Sequence, residues 1–131
     1  GDGIMAAFVS TSAQTVVPQE MRAVQAGARI LAQLKHNDYV VEGERVVVGV
    51  AVNTGPAMVG YIGVGARAEF NVAGDTVNIA SRMVSFARPN RLLIGAATVK
   101  MIEGRFPTKP IGVIDVRGRS APVEIFEALG V

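Results

Sequence analysis

Asn78 and Arg82 are the residues of this chain best suited to chemistry. They stand four apart, so a helix makes them neighbours on one face. An amide beside a guanidinium donates hydrogen bonds in a geometry that suits a sugar and a phosphate. The surrounding residues predict that helix. A strand-like run through Phe70 and Val72 breaks at Gly74-Asp75. Val77, Ala80, Val84 and Ala87 then recur at i, i+3, i+7 and i+10, which marks one apolar face. Asp75 is placed as the N-cap, accepting a backbone N–H that the first turn leaves unpaired. A merely solvated helix face carries the same Asn/Arg pair, so this spacing by itself assigns no function.

The elements that must hold this helix can be followed along the chain. Gly3 to Val9 is mostly apolar and suits a buried strand, and Ser10 to Thr15 reads as a small polar loop. Pro18 fits the first turn of a helix, where its missing N–H costs little. Met21, Val24, Ala28 and Leu31 mark the core face of that helix, with Arg22, Arg29 and Gln33 outside. Its end is expected near His36-Asn37-Asp38. Val46 to Val52 is a β-branched run, as in a central strand covered on both faces. Asn53-Thr54-Gly55-Pro56 is a turn. Met58 to Ile62 is expected as a strand and Val64 to Arg67 as a flexible loop. Arg91 to Ile94 reads as a short strand, and Ala97 to Ile102 as a short helix closed by Gly104. Val113 to Val116 and Val123 to Phe126 pair as a terminal hairpin around Arg117-Gly118-Arg119. Strands and helices alternate with hairpins among them, which favours an α+β fold over a doubly wound sheet.

Composition narrows the partners. The 131 residues suit one domain with a core of its own. Half are hydrophobic and 18% are charged, and the mean hydropathy is +0.36. So few charges point to an apolar surface that a partner or further chain covers. The net charge is +2, with the basic excess late, at Arg105, Lys109, Arg117 and Arg119. No basic run interleaves with the five Phe and two Tyr, so a nucleic-acid partner is not expected. The absence of cysteine excludes disulfides and thiolate metal sites and fits a reducing compartment. No apolar stretch is long enough to span a bilayer. His36 is the sole histidine and is expected at the surface near a helix end.

Four segments carry a family resemblance: G-D-G-I-M-A-A-F (Gly1 to Phe8), V-G-V-A-V-N-T-G-P-A-M-V-G-Y-I-G (Val48 to Gly63), G-D-T-V-N-I-A-S-R-M (Gly74 to Met83) and V-R-G-R-S-A-P-V-E-I-F-E (Val116 to Glu127). In this order they resemble the class III adenylate and guanylate cyclase catalytic domain, and the resemblance covers nearly the whole chain. It implies a ferredoxin-like βαββαβ core with extra C-terminal strands. Against that pattern residues 1–131 look like a partial domain, with the first strand and its following helices missing.

The resemblance also implies roles. The family converts ATP or GTP to a 3′,5′-cyclic nucleotide and pyrophosphate. Asn78 and Arg82 match the pair that contacts ribose and stabilises the transition-state phosphate. Asn71 stands where the purine is read, and Arg117 or Arg119 in the basic turn would hold the triphosphate. Asp2 matches one of two aspartates that bind two divalent ions, Mg2+ or Mn2+. Such ions help a 3′-hydroxyl attack the α-phosphate. Adenylate-forming members often carry Asp, Thr or Ser at the place of Asn71, and the cooperating Lys would precede Gly1. The expected assembly is a head-to-tail homodimer whose sites lie between subunits, joined in the parent to regulatory domains. A cytoplasmic location is expected, whether or not the parent is attached to a membrane. The reading is an adenylate cyclase in the intact parent, with this chain inactive alone. The alternative is a catalytically silent homology domain serving as nucleotide sensor or dimerisation scaffold. A diguanylate cyclase relative is disfavoured, because no Gly-Gly-Asp/Glu-Glu-Phe turn occurs.

Overall fold

A computed structural model describes residues 3–9, 17–116, 118 and 121–130. The elements run α1 (Gln19–His36), β1 (Val40–Val41), β2 (Glu44–Arg45), β3 (Gly49–Val52), β4 (Met58–Ile62), β5 (Glu69–Ala73), α2 (Asp75–Val84), β6 (Arg91–Gly95), α3 (Ala96–Ile102), β7 (Thr108–Ile114) and β8 (Val123–Ala128). Pro18 caps α1, and Asn37 closes it by donating its N–H to Gln33 O. Lys35 and His36 occupy the last turn, the end where the helix dipole favours positive charge.

A mixed sheet of order β3-β6-β8-β7 forms the centre. β3 and β6 are parallel, from Gly49 opposite Arg91 to Val52 opposite Ile94. The connection between them passes through a β4–β5 hairpin and then α2. β8 runs antiparallel to β6 and to β7. Side chains alternate across the sheet. Leu92, Ile94, Ala128 and, partly buried, Val50, Val52 and Phe126 pack with Met21, Val24 and Leu31 of α1 and Ile102 of α3. Leu93, Ile125 and, partly buried, Ala51 and Val123 pack with Ile79 and Met83 of α2 and with Ala87. Each such fully buried Leu or Met contributes about 1.5–3 kcal/mol. The fold is therefore α+β, with helices on both faces of the sheet.

Two close approaches set the helix positions. A Cβ at Gly27 would lie 2.9 Å from Leu92 Cδ1, so α1 sits hard against the sheet. A Cβ at Gly49 would lie 2.9 Å from the Val84 carbonyl oxygen and 3.0 Å from Ala87 Cβ, so the end of α2 rests on β3. In β7 the pairing slips between Pro110 and Gly112, an irregularity that edge strands tolerate along with Pro110. An ion pair joins β6 to β8, with Arg91 Nη2 2.8 Å from Glu127 Oε2. That hydrogen bond holds the Glu127 carboxyl below the usual carboxylate range.

Several expectations are corrected. Gly3 to Val9 is not a strand: Ile4 is fully exposed, and no described strand offers this segment a ladder of hydrogen bonds. The run from Val46 to Val52 is strand only from Gly49, and it lies at the edge of the described sheet, half-buried. Val46 instead donates its N–H to Tyr39 O, extending the β1–β2 hairpin. That hairpin had no counterpart in the sequence reading, although Glu42-Gly43 supplies the two positive-φ residues of a tight turn. Val64 to Arg67 contains a 3-10 turn, Gly65–Arg67. The loop expected at Ser10 to Thr15 lies outside the described residues.

Candidate active site on helix α2

Helix α2 begins where β5 ends. Gly74 has φ +134°, a backbone geometry that L side chains rarely adopt, and it turns the chain from strand into helix. Gly74 is the N-cap and Asp75 the first helical residue, one position on from the expected capping role. An acidic side chain in the first turn still complements the helix dipole. The buried face also differs from the expected one. Ile79 and Met83 are the buried residues of α2, whereas Val77, Ala80 and Val84 are only half-buried; of the expected face only Ala87, just beyond the helix, is fully buried. The i, i+4, i+8 row of larger side chains fills the space above Leu93 and Ile125, which the smaller row cannot.

With Ile79 and Met83 inward, Asn78 and Arg82 stand exposed one turn apart on another face. Their Cβ atoms are then about 5–6 Å apart, close enough to serve one ligand. The Arg82 guanidinium carbon lies 5.0 Å from the centroid of the Phe86 ring. The Ser85 hydroxyl donates to Arg82 O at 2.7 Å, in the last turn.

Asn71 lies on β5, exposed and opposite Gly60 of β4. Directly opposed residues share a face of the hairpin. No atom stands within 4 Å of where a Gly60 Cβ would be, so space is open beside Asn71. The Asn71 Oδ1 accepts the Val72 N–H at 2.8 Å, which leaves the amino group as the end of the amide available to a ligand. The structure thus brings Asn78 and Arg82 together on α2, and puts Asn71 on the strand that leads into that helix. Asp2, Arg117 and Arg119 lie outside the described residues. Among the described residues no group of three or more His, Cys, Asp or Glu could hold a metal ion.

A cleft of about 470 Å³ adjoins the start of α2, lined by Asn53, Thr54, Thr76, Ile79, Ala96 and Glu124 among others. Asn71, Asn78 and Arg82 do not line it; they stand on open surface. Four polar residues of this region went unassigned in the sequence. Asn53 Nδ2 donates to Thr76 O at 3.0 Å, and Thr76 Oγ1 donates to Pro56 O at 2.6 Å. Thr54 Oγ1 is 2.8 Å from Thr98 Oγ1, and Thr98 is fully buried. Their signal in the sequence was a pair of hydrogen-bonding side chains at a strand end, just before Gly55-Pro56.

The fold and the site face define a class of protein, which the comparisons name. The profile of the adenylate and guanylate cyclase catalytic domain matches residues 1–127, and the chain belongs to that family. A terminal-differentiation-specific adenylate cyclase of Dictyostelium discoideum is 32% identical over 98% of this chain, which spans 6% of that protein. Two solved structures are also similar. One is the catalytic core of a rhodopsin-guanylyl cyclase with converted specificity, in complex with ATPalphaS: 31% identity, TM-score 0.74, 90% of this chain and 63% of that one. The other is the guanylate cyclase domain of RhGC from Catenaria anguillulae, in complex with GTP: 30% identity, TM-score 0.72, 90% of this chain and 64% of that one. The chain thus spans somewhat under two thirds of each of those solved chains. Among the described residues, no helix is long and apolar enough to cross a membrane.

Proposed function

We propose that residues 1–131 are part of one nucleotidyl cyclase catalytic domain, which in the intact parent converts ATP, in preference to the alternative substrate GTP, to a 3′,5′-cyclic nucleotide and pyrophosphate. The observation that carries this reading is the exposed face of α2. Asn78 and Arg82 stand there one turn apart, on the helix that follows Asn71 directly. Asn78 would hold the ribose. Arg82 would donate to the α-phosphate as charge builds on its oxygens, a contribution that counts only where it grows in the transition state. Asn71 would meet the purine edge. Its available amino group can donate to adenine N1 or to guanine O6, which fits a site of weak base preference. Arg117 or Arg119 would hold the triphosphate. Asp2 would supply one hard oxygen ligand to Mg2+ or Mn2+, two ions in the parent, which when bound would assist deprotonation of the 3′-hydroxyl.

The site is proposed to form between two copies arranged head to tail, with Asp2 from one and Asn78 and Arg82 from the other. The support is the β4–β5 hairpin beside α2. It exposes Met58 and Ile62 on one face and Tyr61 and Phe70 on the other, apolar side chains that association would cover. Since the chain spans about 63% of a solved catalytic core, turnover is assigned to the parent, with its regulatory domains, and this chain alone is expected to be inactive. The test assays the parent and the 131-residue chain side by side for cyclic nucleotide and pyrophosphate release from ATP and GTP. Turnover by the parent only is expected. Nucleotide binding without turnover by the parent would establish the silent sensor or scaffold reading instead. Robust turnover by the short chain would refute its expected inactivity.

A further inference from the structure

We infer that Thr76 and Asn53 are positioning residues for Asn78, acting by pinning the first turn of α2 to the end of β3. The inference rests on the reading of Asn78 and Arg82 given above. Two ties meet at Thr76. Its backbone oxygen accepts from Asn53 Nδ2 at 3.0 Å, and its hydroxyl donates to Pro56 O at 2.6 Å. Both come from the turn that follows β3. The same turn is held from the other side, since Thr54 Oγ1 lies 2.8 Å from the fully buried Thr98 Oγ1 of α3.

Two glycines make room for these side chains. A Cβ at Gly55 would stand 2.5 Å from Thr76 Oγ1. A Cβ at Gly95 would collide with Asn53 Oδ1. The packing therefore reserves space for two polar groups whose partners are both backbone carbonyl oxygens.

The consequence for the site follows from helix geometry. Thr76 and Asn78 are two residues apart, roughly 200° around the helix. A tie on the Thr76 side thus fixes the direction in which Asn78 projects on the opposite side. The far end of α2 is held separately, where Val84 O and Ala87 press on Gly49. Loss of the ties at the start leaves the helix hinged at that far end, so Asn78 moves more than Arg82. A misplacement near 1 Å at a group that meets the reacting substrate costs on the order of 10²-fold in rate.

The experiment uses the full-length parent and measures kcat, KM and Tm. Thr76→Val, which keeps shape and removes the hydroxyl, is expected to lower kcat about 10-fold or more with KM nearly unchanged. Thr76→Ser should recover most of the loss, and Asn53→Ala should act like Thr76→Val. In an Asn78→Ala background Thr76→Val should cost little further, because its effect passes through Asn78. An undiminished loss in that background, or unchanged kcat per folded site in both Thr76→Val and Asn53→Ala, would overturn the inference. So would variants that fail only by unfolding, with Thr76→Ser failing alongside. If Asn78→Ala itself left turnover intact, the assignment of the site would fall, not the tie.

Discussion

The Arg82 guanidinium sits over the ring of Phe86, 5.0 Å from its centroid and one turn further along the chain. A cation held over a ring face is attracted by the ring itself, so the contact does not consume the guanidinium N–H groups as hydrogen-bond donors. Such a contact at an exposed site is worth about 0.5–1 kcal/mol. If it pre-orients Arg82 for phosphate, Phe86→Leu should lower kcat roughly 2- to 5-fold, the same energy expressed as a rate. Phe86→Trp, which keeps a ring face, should retain wild-type turnover. Equal kcat in Phe86→Leu and wild type would show that the stack does not prepare the site.

Removing the donors themselves should cost more. Asn78→Ala or Arg82→Ala in the parent is expected to lower kcat roughly 10²- to 10³-fold, with less effect on nucleotide binding. An Asp2→Ala parent mixed with an Arg82→Ala parent should regain partial activity, since one of the two shared sites in the heterodimer is then intact. Absence of recovery, with heterodimers shown to form, would rule out a site divided between subunits.

Base preference should respond to Asn71. A carboxylate there accepts from the adenine N6 amino group and repels guanine O6. Asn71→Asp should therefore shift the ratio of kcat/KM for ATP over GTP towards ATP. A buried mismatched acceptor costs about 1–3 kcal/mol, roughly 5- to 150-fold. An unchanged ratio would mean that Asn71 does not face the base.

Acid should weaken one tie in the sheet. The hydrogen bond from Arg91 holds the Glu127 carboxyl below its ordinary range. A carboxyl depressed in the folded state stabilises the fold above its unfolded pKa, and that contribution is lost as pH falls through the folded value. The side chains are 35% and 20% exposed, so screening limits the effect to about 0.5–1 kcal/mol. Denaturant unfolding of Glu127→Gln should show that loss near neutral pH. The gap to wild type should close in acid, as pH falls through the depressed folded value and Glu127 too becomes neutral. A gap independent of pH would assign the loss to packing instead.

Much of this molecule is written in local sequence. Met58–Ile62 is a strand as expected, and α1 ends at His36, because strand alternation and helix capping act within a few residues. The strand break at Gly74 and the exposed Asn78/Arg82 pair were legible for the same reason. Ten residues of motif fixed the family resemblance around them. The buried row of α2 was misread apart from Ala87, because Val77, Ala80 and Val84 make as regular a stripe as Ile79 and Met83. Which stripe turns inward depends on the room above Leu93 and Ile125, and those residues are remote in sequence. The fate of Gly3 to Val9 was likewise undecidable locally, since an apolar run becomes a strand only beside a partner.

The sequence by itself determined the α+β class, most of the element order, the cyclase motifs and the shared helix face of Asn78 and Arg82. Those properties rest on side-chain chemistry and on spacings shorter than one element. Only the tertiary structure decided that Asn53 and Pro56 grip Thr76, that Arg82 stacks on Phe86 and that α2 rests on Gly49. The ties at Thr76 and the contact at Gly49 join residues 20 or more positions apart, and they exist because two packed layers bring strand ends and helix starts to the same place. The stack of Arg82 on Phe86 is local in sequence, yet it needed the rotation of α2 that packing imposed.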